Sequence, residues 1–186
     1  MSLLDTLFRR SGSQAGQRAL YAAIVARGRQ PHWYIDGAVA DTVDGRFDMI
    51  AAILALVLLR METLGAADDS ARLAEVFVTD MDGQLRQIGI GDIIVGKHIG
   101  RMMSALGGRL GAYRAALEGT GDGSGAGTGA GTGAGSLEDA LVRNLYRGEA
   151  PAPEALAHVA QGLREFAAGL SALDLESLRA ARLPVV

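Results

Sequence analysis

Eleven consecutive apolar residues, Met49 to Leu59 (MIAAILALVLL), closed off by Asp48 and Arg60, constrain this chain more than any other feature. A helix that crosses a bilayer needs about 20 such residues, so this run has to be covered by protein on every side. It predicts a central, fully buried helix, and around it a bundle whose other helices each contribute one apolar face. Thr42 or Asp44 is the expected cap ahead of it, and Gly65 closes it just after Leu64.

Nearly every other segment repeats with helical period. Gln14 to Arg29 places Leu20, Tyr21, Ile24 and Val25 inward and stops at Pro31, leaving His32, Trp33 and Tyr34 in a short connector. Asp68, Asp69 and Ser70 read as a turn and cap. Ala71 to Ile88 then carries Leu73, Val76, Phe77, Met81, Leu85 and Ile88 on one side. Val95, Ile99, Met102, Leu106, Leu110, Tyr113 and Leu117 form a further stripe. No stretch alternates with period two, so the expected class is all-α, a single domain of about six to eight helices. On the Ala71 to Ile88 helix, Asp80 falls on the apolar side and Asp82 on the opposite one. A carboxylate on a packed face needs a partner, and the candidates are Arg46, Lys97 and Arg101.

From Gly119 to Gly135 the chain reads GTGDGSGAGTGAGTGAG, nine glycines in seventeen residues. This composition predicts a flexible loop with an r.m.s. span of about 23 Å. It divides a helical core, residues 1–118, from a C-terminal part, residues 136–186. The latter reads as helices over Leu137 to Arg147 and Pro153 to Ser171, then a short one capped by Asp174. Its apolar residues are too few for an independent core, so it is expected to pack on the first part.

The net charge is −3 and aromatics make up 5% of the chain, which argues against nucleic acid as a direct ligand. There is no cysteine, so thiolate catalysis, disulfides and cysteine-bound zinc are excluded. His32, His98 and His158 are isolated in sequence, and no G-x-S-x-G turn is present. We therefore expect no enzyme, no cofactor and no metal. One segment imitates a phosphate loop: Gly91 to His98, GDIIVGKH, almost spells G-x-x-x-x-G-K-[ST]. His98 stands where the magnesium-binding hydroxyl belongs, and β-branched Ile93, Ile94 and Val95 resist the required backbone. A helix capped by Asp92 accounts for the same letters. It places Lys97, the one lysine beside seventeen arginines, and Arg101 one turn apart on its polar side.

The N-terminus lacks the long apolar region of a secretory signal, which predicts a cytoplasmic protein. Leu3, Leu4, Leu7 and Phe8 share one face of a short helix starting at Ser2, beside Arg9 and Arg10. That pattern suits either a terminal helix docked on the core or peripheral contact with a membrane at the lipid headgroup boundary. Met49, Met61, Met81, Met102 and Met103 similarly suit core filling or an adaptable apolar surface.

Several segments taken in order resemble the ubiquinol-cytochrome c chaperone family. They are Pro31-His32-Trp33-Tyr34, Asp41-Thr42 with Gly45-Arg46-Phe47-Asp48, Asp80-Met81-Asp82, Leu85-Arg86, Gly89-Ile90-Gly91-Asp92, Val95-Gly96-Lys97, Arg101-Met102, and Gly108-Arg109 with Tyr113. Residues 14–118 carry this likeness, and Arg143 to Gly148 (RNLYRG) resembles the family's C-terminal region. Ala40 stands where proline is expected, Ile53 where relatives often place histidine, and the glycine tract is not a family feature. The resemblance implies an assembly factor that binds newly made cytochrome b and promotes assembly of the ubiquinol-cytochrome c reductase complex. A small assembly partner and the ribosome are the further partners it implies. It marks Trp33, Tyr34, Arg46, Asp80, Asp82, Arg86, Asp92, Lys97, Arg101, Arg109 and Tyr113 as candidate client-binding or motif residues. The competing readings are a membrane-surface helical scaffold and a nucleotide-binding enzyme working through Lys97.

Overall fold

The computed structural model describes residues 3–87, 92–119 and 135–185. In chain order the helices are α1 (Leu3–Gly28), α2 (Pro31–Ile35), α3 (Val43–Thr63), α4 (Ala67–Gln87), α5 (Asp92–Glu118), α6 (Leu137–Asn144), α7 (Pro153–Ser171) and α8 (Leu175–Arg179). No strand occurs among the described residues, and the chain is all-α as its periodicity predicts.

The apolar run is the axis of the bundle. Every residue from Met49 to Leu58 is at most 5% exposed, because α1, α4, α5 and α7 all pack against α3. Burying a Leu or Ile side chain contributes about 1.5–3 kcal/mol, so this one helix supplies a large share of the core. The amphipathic stripes surround it. Leu20, Tyr21 and Ile24 of α1, Leu73, Phe77 and Met81 of α4, and Leu106 and Tyr113 of α5 are all buried. Val159, Leu163, Phe166 and Leu170 of α7 complete the core.

The helix ends follow local chemistry. Thr42, not Asp44, caps α3, its hydroxyl accepting from the Gly45 N–H at 3.1 Å. Asp44 instead lies in the first turn, where the helix dipole favours a negative charge. Gly65 takes φ +66°, the left-handed conformation a glycine past a helix end supplies at no steric cost. A capping box of Ser136 and Asp139 opens α6. The Asp174 carboxylate accepts from the Ser177 N–H at 2.8 Å to open α8.

Four boundaries differ from the sequence reading. The expected N-terminal helix and the Gln14 to Arg29 helix are one element, α1. Gly16 within it costs about 1 kcal/mol of helix propensity, less than the continuous backbone ladder returns. His32 to Tyr34 are not a connector but part of α2, because Pro31 both stops α1 and occupies the first turn of the next helix. Asp68 and Asp69 belong to the first turn of α4 rather than to a turn before it. α6 stops at Asn144, three residues short of Arg147, whose φ of 55° cannot continue a helix. Ile88 to Gly91 and most of the glycine tract lie outside the described residues, as do the side chains of Leu3, Leu4, Leu7 and Phe8.

Candidate functional site

Three of the segments singled out in the sequence converge on one carboxylate. Asp48, at the start of the buried run of α3, is 1% exposed. A charge this deep must be paired and hydrogen-bonded. Arg109 of α5, itself buried, donates from Nη2 to Asp48 Oδ1. Arg147, just beyond α6, donates from Nε to Asp48 Oδ2 at 2.7 Å and from Nη1 to Asp44 Oδ2 at 2.8 Å. Arg109 Nη2 also donates to the Asn144 carbonyl at 3.0 Å, and its guanidinium carbon lies 5.7 Å from the centre of the Phe47 ring. Two carboxylates thus meet two guanidiniums drawn from positions 61 and 99 residues beyond Asp48 in the sequence.

The site's electrostatics follow from its depth. Burial pushes the Asp48 carboxyl above its ordinary range, while the hydrogen bond from Arg147 and the charges of Arg109 and Arg147 pull it back. The Tyr113 hydroxyl, buried on α5, is raised by the same desolvation. Both Asp48 oxygens are taken by guanidiniums, so the carboxylate is not available as a general base. The backbone around it is equally fixed. A side chain on Gly45 would place its Cβ 2.0 Å from the Ala40 carbonyl oxygen, so only glycine lets the loop close over the start of α3.

A second buried carboxylate plays a parallel part where α1, α4 and α8 meet. Asp69 of α4 accepts from Gln17 Nε2 at 3.0 Å and from Arg179 of α8 at 3.1 and 2.7 Å. Here the hydrogen bond from Arg179 holds the carboxyl below its usual range. Further donors reach the C-terminal segment. Arg60 donates twice to the Leu173 carbonyl, at 3.1 and 2.6 Å, Arg27 to the Leu183 carbonyl at 3.3 Å, and Tyr146 to the Gly37 carbonyl at 2.6 Å. Burial raises the Tyr146 hydroxyl to about 12, so it remains a donor throughout the physiological range. The residues after 135 are therefore tied to α1, α3 and α4 by polar links laid over apolar packing.

The sequence-predicted residues divide into three groups. Trp33, Arg109 and Tyr113 are buried. The Trp33 indole N–H donates to the Arg27 carbonyl at 2.8 Å, and half-buried Tyr34 donates to the Gly28 carbonyl at 2.6 Å, so α2 is an aromatic plug over the end of α1. Arg46 is exposed and pairs with Asp41 at 2.6 Å rather than with Asp80. Half-buried Asp80 accepts instead from the Tyr21 hydroxyl at 2.9 Å, and Asp82 is likewise half-buried. The side chains of Arg86, Asp92, Lys97 and Arg101 lie outside the described residues, although α5 starts at Asp92 and is helical through Lys97 and Arg101. A helix there leaves no loop to wrap a phosphate.

Sequence reasoning passed over Asp48, Arg147, Asp69 and Arg179. Asp48 enters the sequence reading only as the end of an apolar run and as part of a family-like segment, and nothing near it in sequence announces a partner. The available signal was a charged residue directly abutting a fully buried helix, which must be compensated from elsewhere. His32 and His158, isolated in sequence, also meet in space. Among the described residues no three His, Asp or Glu side chains are grouped so as to hold a metal ion.

The profile of the family described as ubiquinol-cytochrome C chaperone matches residues 36–185, a span that contains Asp48, Arg109, Arg147 and Arg179. Among solved structures the chain is similar to the crystal structure of the Cbp3 homolog from Brucella abortus, with 29% sequence identity and a TM-score of 0.78. The match covers 99% of this chain and 97% of that one. No curated protein matches.

Proposed function

The chain belongs to the ubiquinol-cytochrome C chaperone family, and from that premise we propose that it is a non-catalytic assembly factor that binds newly made cytochrome b and promotes its entry into the ubiquinol-cytochrome c reductase complex. The observation that carries this reading is the family match over residues 36–185, which spans the whole Asp48 cluster and the C-terminal helices tied to it. The chemistry of the site agrees. Its charged groups pair chiefly with one another, Asp48 with both Arg109 and Arg147, an arrangement that fixes a scaffold rather than one that attacks a substrate.

Client contact then falls to the surface. Lys97 and Arg101 stand one helical turn apart on α5 and supply cations for acidic side chains or carbonyl oxygens of the client. Trp33, Arg109 and Tyr113 act beneath that surface by holding the helices in place. Among the described residues no helix is long and apolar enough to cross a membrane. Leu3, Leu4, Leu7 and Phe8 at the start of α1 would give peripheral contact with the inner membrane, and a small assembly partner and the ribosome complete the set of proposed partners.

The test is co-purification of cytochrome b with the tagged chain from its own cells. Replacing both Lys97 and Arg101 with glutamate should leave the fold intact and reduce both cytochrome b capture and assembled reductase. Undiminished capture would remove these two residues from the client surface, and absence of cytochrome b from the unmutated protein would overturn the reading. Calorimetry with magnesium and ATP or GTP is the opposing experiment, since saturable micromolar binding abolished by Lys97→Ala would restore the nucleotide enzyme.

A further inference from the structure

His32 Nδ1 and His158 Nε2 lie 2.9 Å apart, although the two residues are 126 positions apart in sequence. Their ring centroids are 5.2 Å apart and the planes are inclined at 78°. That centroid separation matches two rings whose facing nitrogens lie on the line between them, so the lone pair of one meets the N–H of the other. Two ligands of a metal ion would both point at a third place instead. Nε2 of His32 is 3.2 Å from Gln30 Oε1. An amide oxygen only accepts, so Nε2 carries the hydrogen, His32 Nδ1 is the acceptor, and His158 Nε2 is the donor.

This bond joins two separately built parts of the fold. On one side the α2–α3 loop is organised by His32 and Trp33: the N–H groups of Asp36 and Gly37 donate to the His32 carbonyl and that of Val39 to the Trp33 carbonyl. On the other side is α7, where Val159 packs so closely that a Cβ on Gly37 would meet its Cγ2 at 2.4 Å. The loop is flanked by the most exposed large apolar side chains of its region, Ile35 at 77% and Val43 at 72%.

The pair tolerates one added proton but not two. A single imidazolium still donates to a neutral imidazole, whereas two imidazoliums face each other as donors of like charge. The charges acting on His32 are His158, which opposes its protonation, and Asp36, which favours it. On α7, Glu154 stands one turn before His158. The Trp33 ring lies 4.0 Å from His32 and 6.3 Å from His158. Burial, the largest influence, lowers the His32 pKa below its ordinary 6.5. The unfolded chain therefore binds the proton first, and the stability held in the pair is present above about pH 6.5 and lost as pH falls below it.

We propose that the His32–His158 hydrogen bond is a proton-sensitive latch that fixes the α2–α3 loop on α7 at neutral pH and releases it in acid. Amide hydrogen exchange on the full chain at pH 7.5 and 5.0, corrected for intrinsic exchange, reads this directly. Protection at Gly37 and Val39 should fall more than tenfold between the two pH values while Ile53 and Leu54 hold. In His158→Leu, which offers no donor, it should be low at both. Protection in the unmutated chain that does not change with pH, or an equal change in the variant, overturns the proposal. Should the variant not fold, the imidazole ¹⁵N spectrum of the unmutated chain decides: a nitrogen–nitrogen coupling between the rings at neutral pH supports the latch, and two independent titrations near 6.5 contradict it.

Discussion

Asp48 and Asp69 are the same residue type, both nearly sealed from solvent and both gripped by an arginine from beyond residue 136, yet their carboxyls shift in opposite directions. The difference is what lies over them. Each carboxylate accepts from a half-exposed arginine, Arg179 at Asp69 and Arg147 at Asp48, with side chains 56% and 55% exposed, and at Asp69 the hydrogen bond from that arginine dominates. Asp48 is held between α3 and α5 by an arginine that is itself buried, and there the loss of hydration exceeds what the guanidiniums return. Equivalent contacts therefore have unequal meanings. The Asp69 clasp stabilises the folded chain at neutral pH, whereas the Asp48 clasp fixes which helices meet and costs much to break.

The largest expected effect comes from stripping Asp48 of its buried partner. Arg109→Ala should destabilise the chain by about 3–5 kcal/mol in urea unfolding, because the buried Asp48 carboxylate keeps only the half-exposed Arg147 as a partner. Arg179→Ala, at the exposed clasp, should cost only about 1 kcal/mol near pH 7, since Gln17 and water remain with Asp69.

The pH dependences sharpen the contrast further. A lowered carboxyl pKa gives stability that is present above about pH 4 and lost as pH falls below it, so the cost of Arg179→Ala should shrink in acid. A raised pKa has the opposite sign. Between about pH 4 and the folded value, Asp48 loses stability as pH rises, and the stability difference between the unmutated chain and Asp48→Asn should narrow over that window. Parallel slopes for the Asp48→Asn and Asp69→Asn variants would erase the distinction between the two clasps.

Smaller effects bound the comparison from below. Tyr21→Phe removes the hydroxyl that donates to half-buried Asp80 and should cost about 1 kcal/mol. Arg46→Ala breaks a solvent-exposed pair with Asp41 and should leave the unfolding midpoint unchanged within error.

How far the sequence reveals this molecule depends on the range over which each feature is encoded. α3 was legible because its eleven apolar residues are contiguous. α4, α5 and α7 were legible because their stripes repeat within single helices, and the caps at Thr42 and Asp174 because the accepting side chain is three residues from its donor. The continuity of α1 through Gly16 was not, since local propensity opposes it. Nor was the Asp48 cluster, whose partners Arg109 and Arg147 lie on other elements, with the glycine tract of 119–135 between them. Asp80 drew attention because its helical phase is unusual; it accepts from the Tyr21 hydroxyl of α1, while Arg46 pairs with Asp41. Charge pairing across a bundle is set by which helices become neighbours, and periodicity alone does not say which they are.

A double-mutant cycle between Asp48 and Arg109, measured by urea unfolding at pH 7, tests most directly whether this buried pair holds the helices together. The clasp predicts strong coupling: Asp48→Leu combined with Arg109→Met should be more stable than the sum of the single changes by 2 kcal/mol or more, on the order of the larger coupling energies found for contacting residues. Single-mutant costs that add to within about 0.5 kcal/mol would contradict it, because residues that do not depend on one another behave in that way.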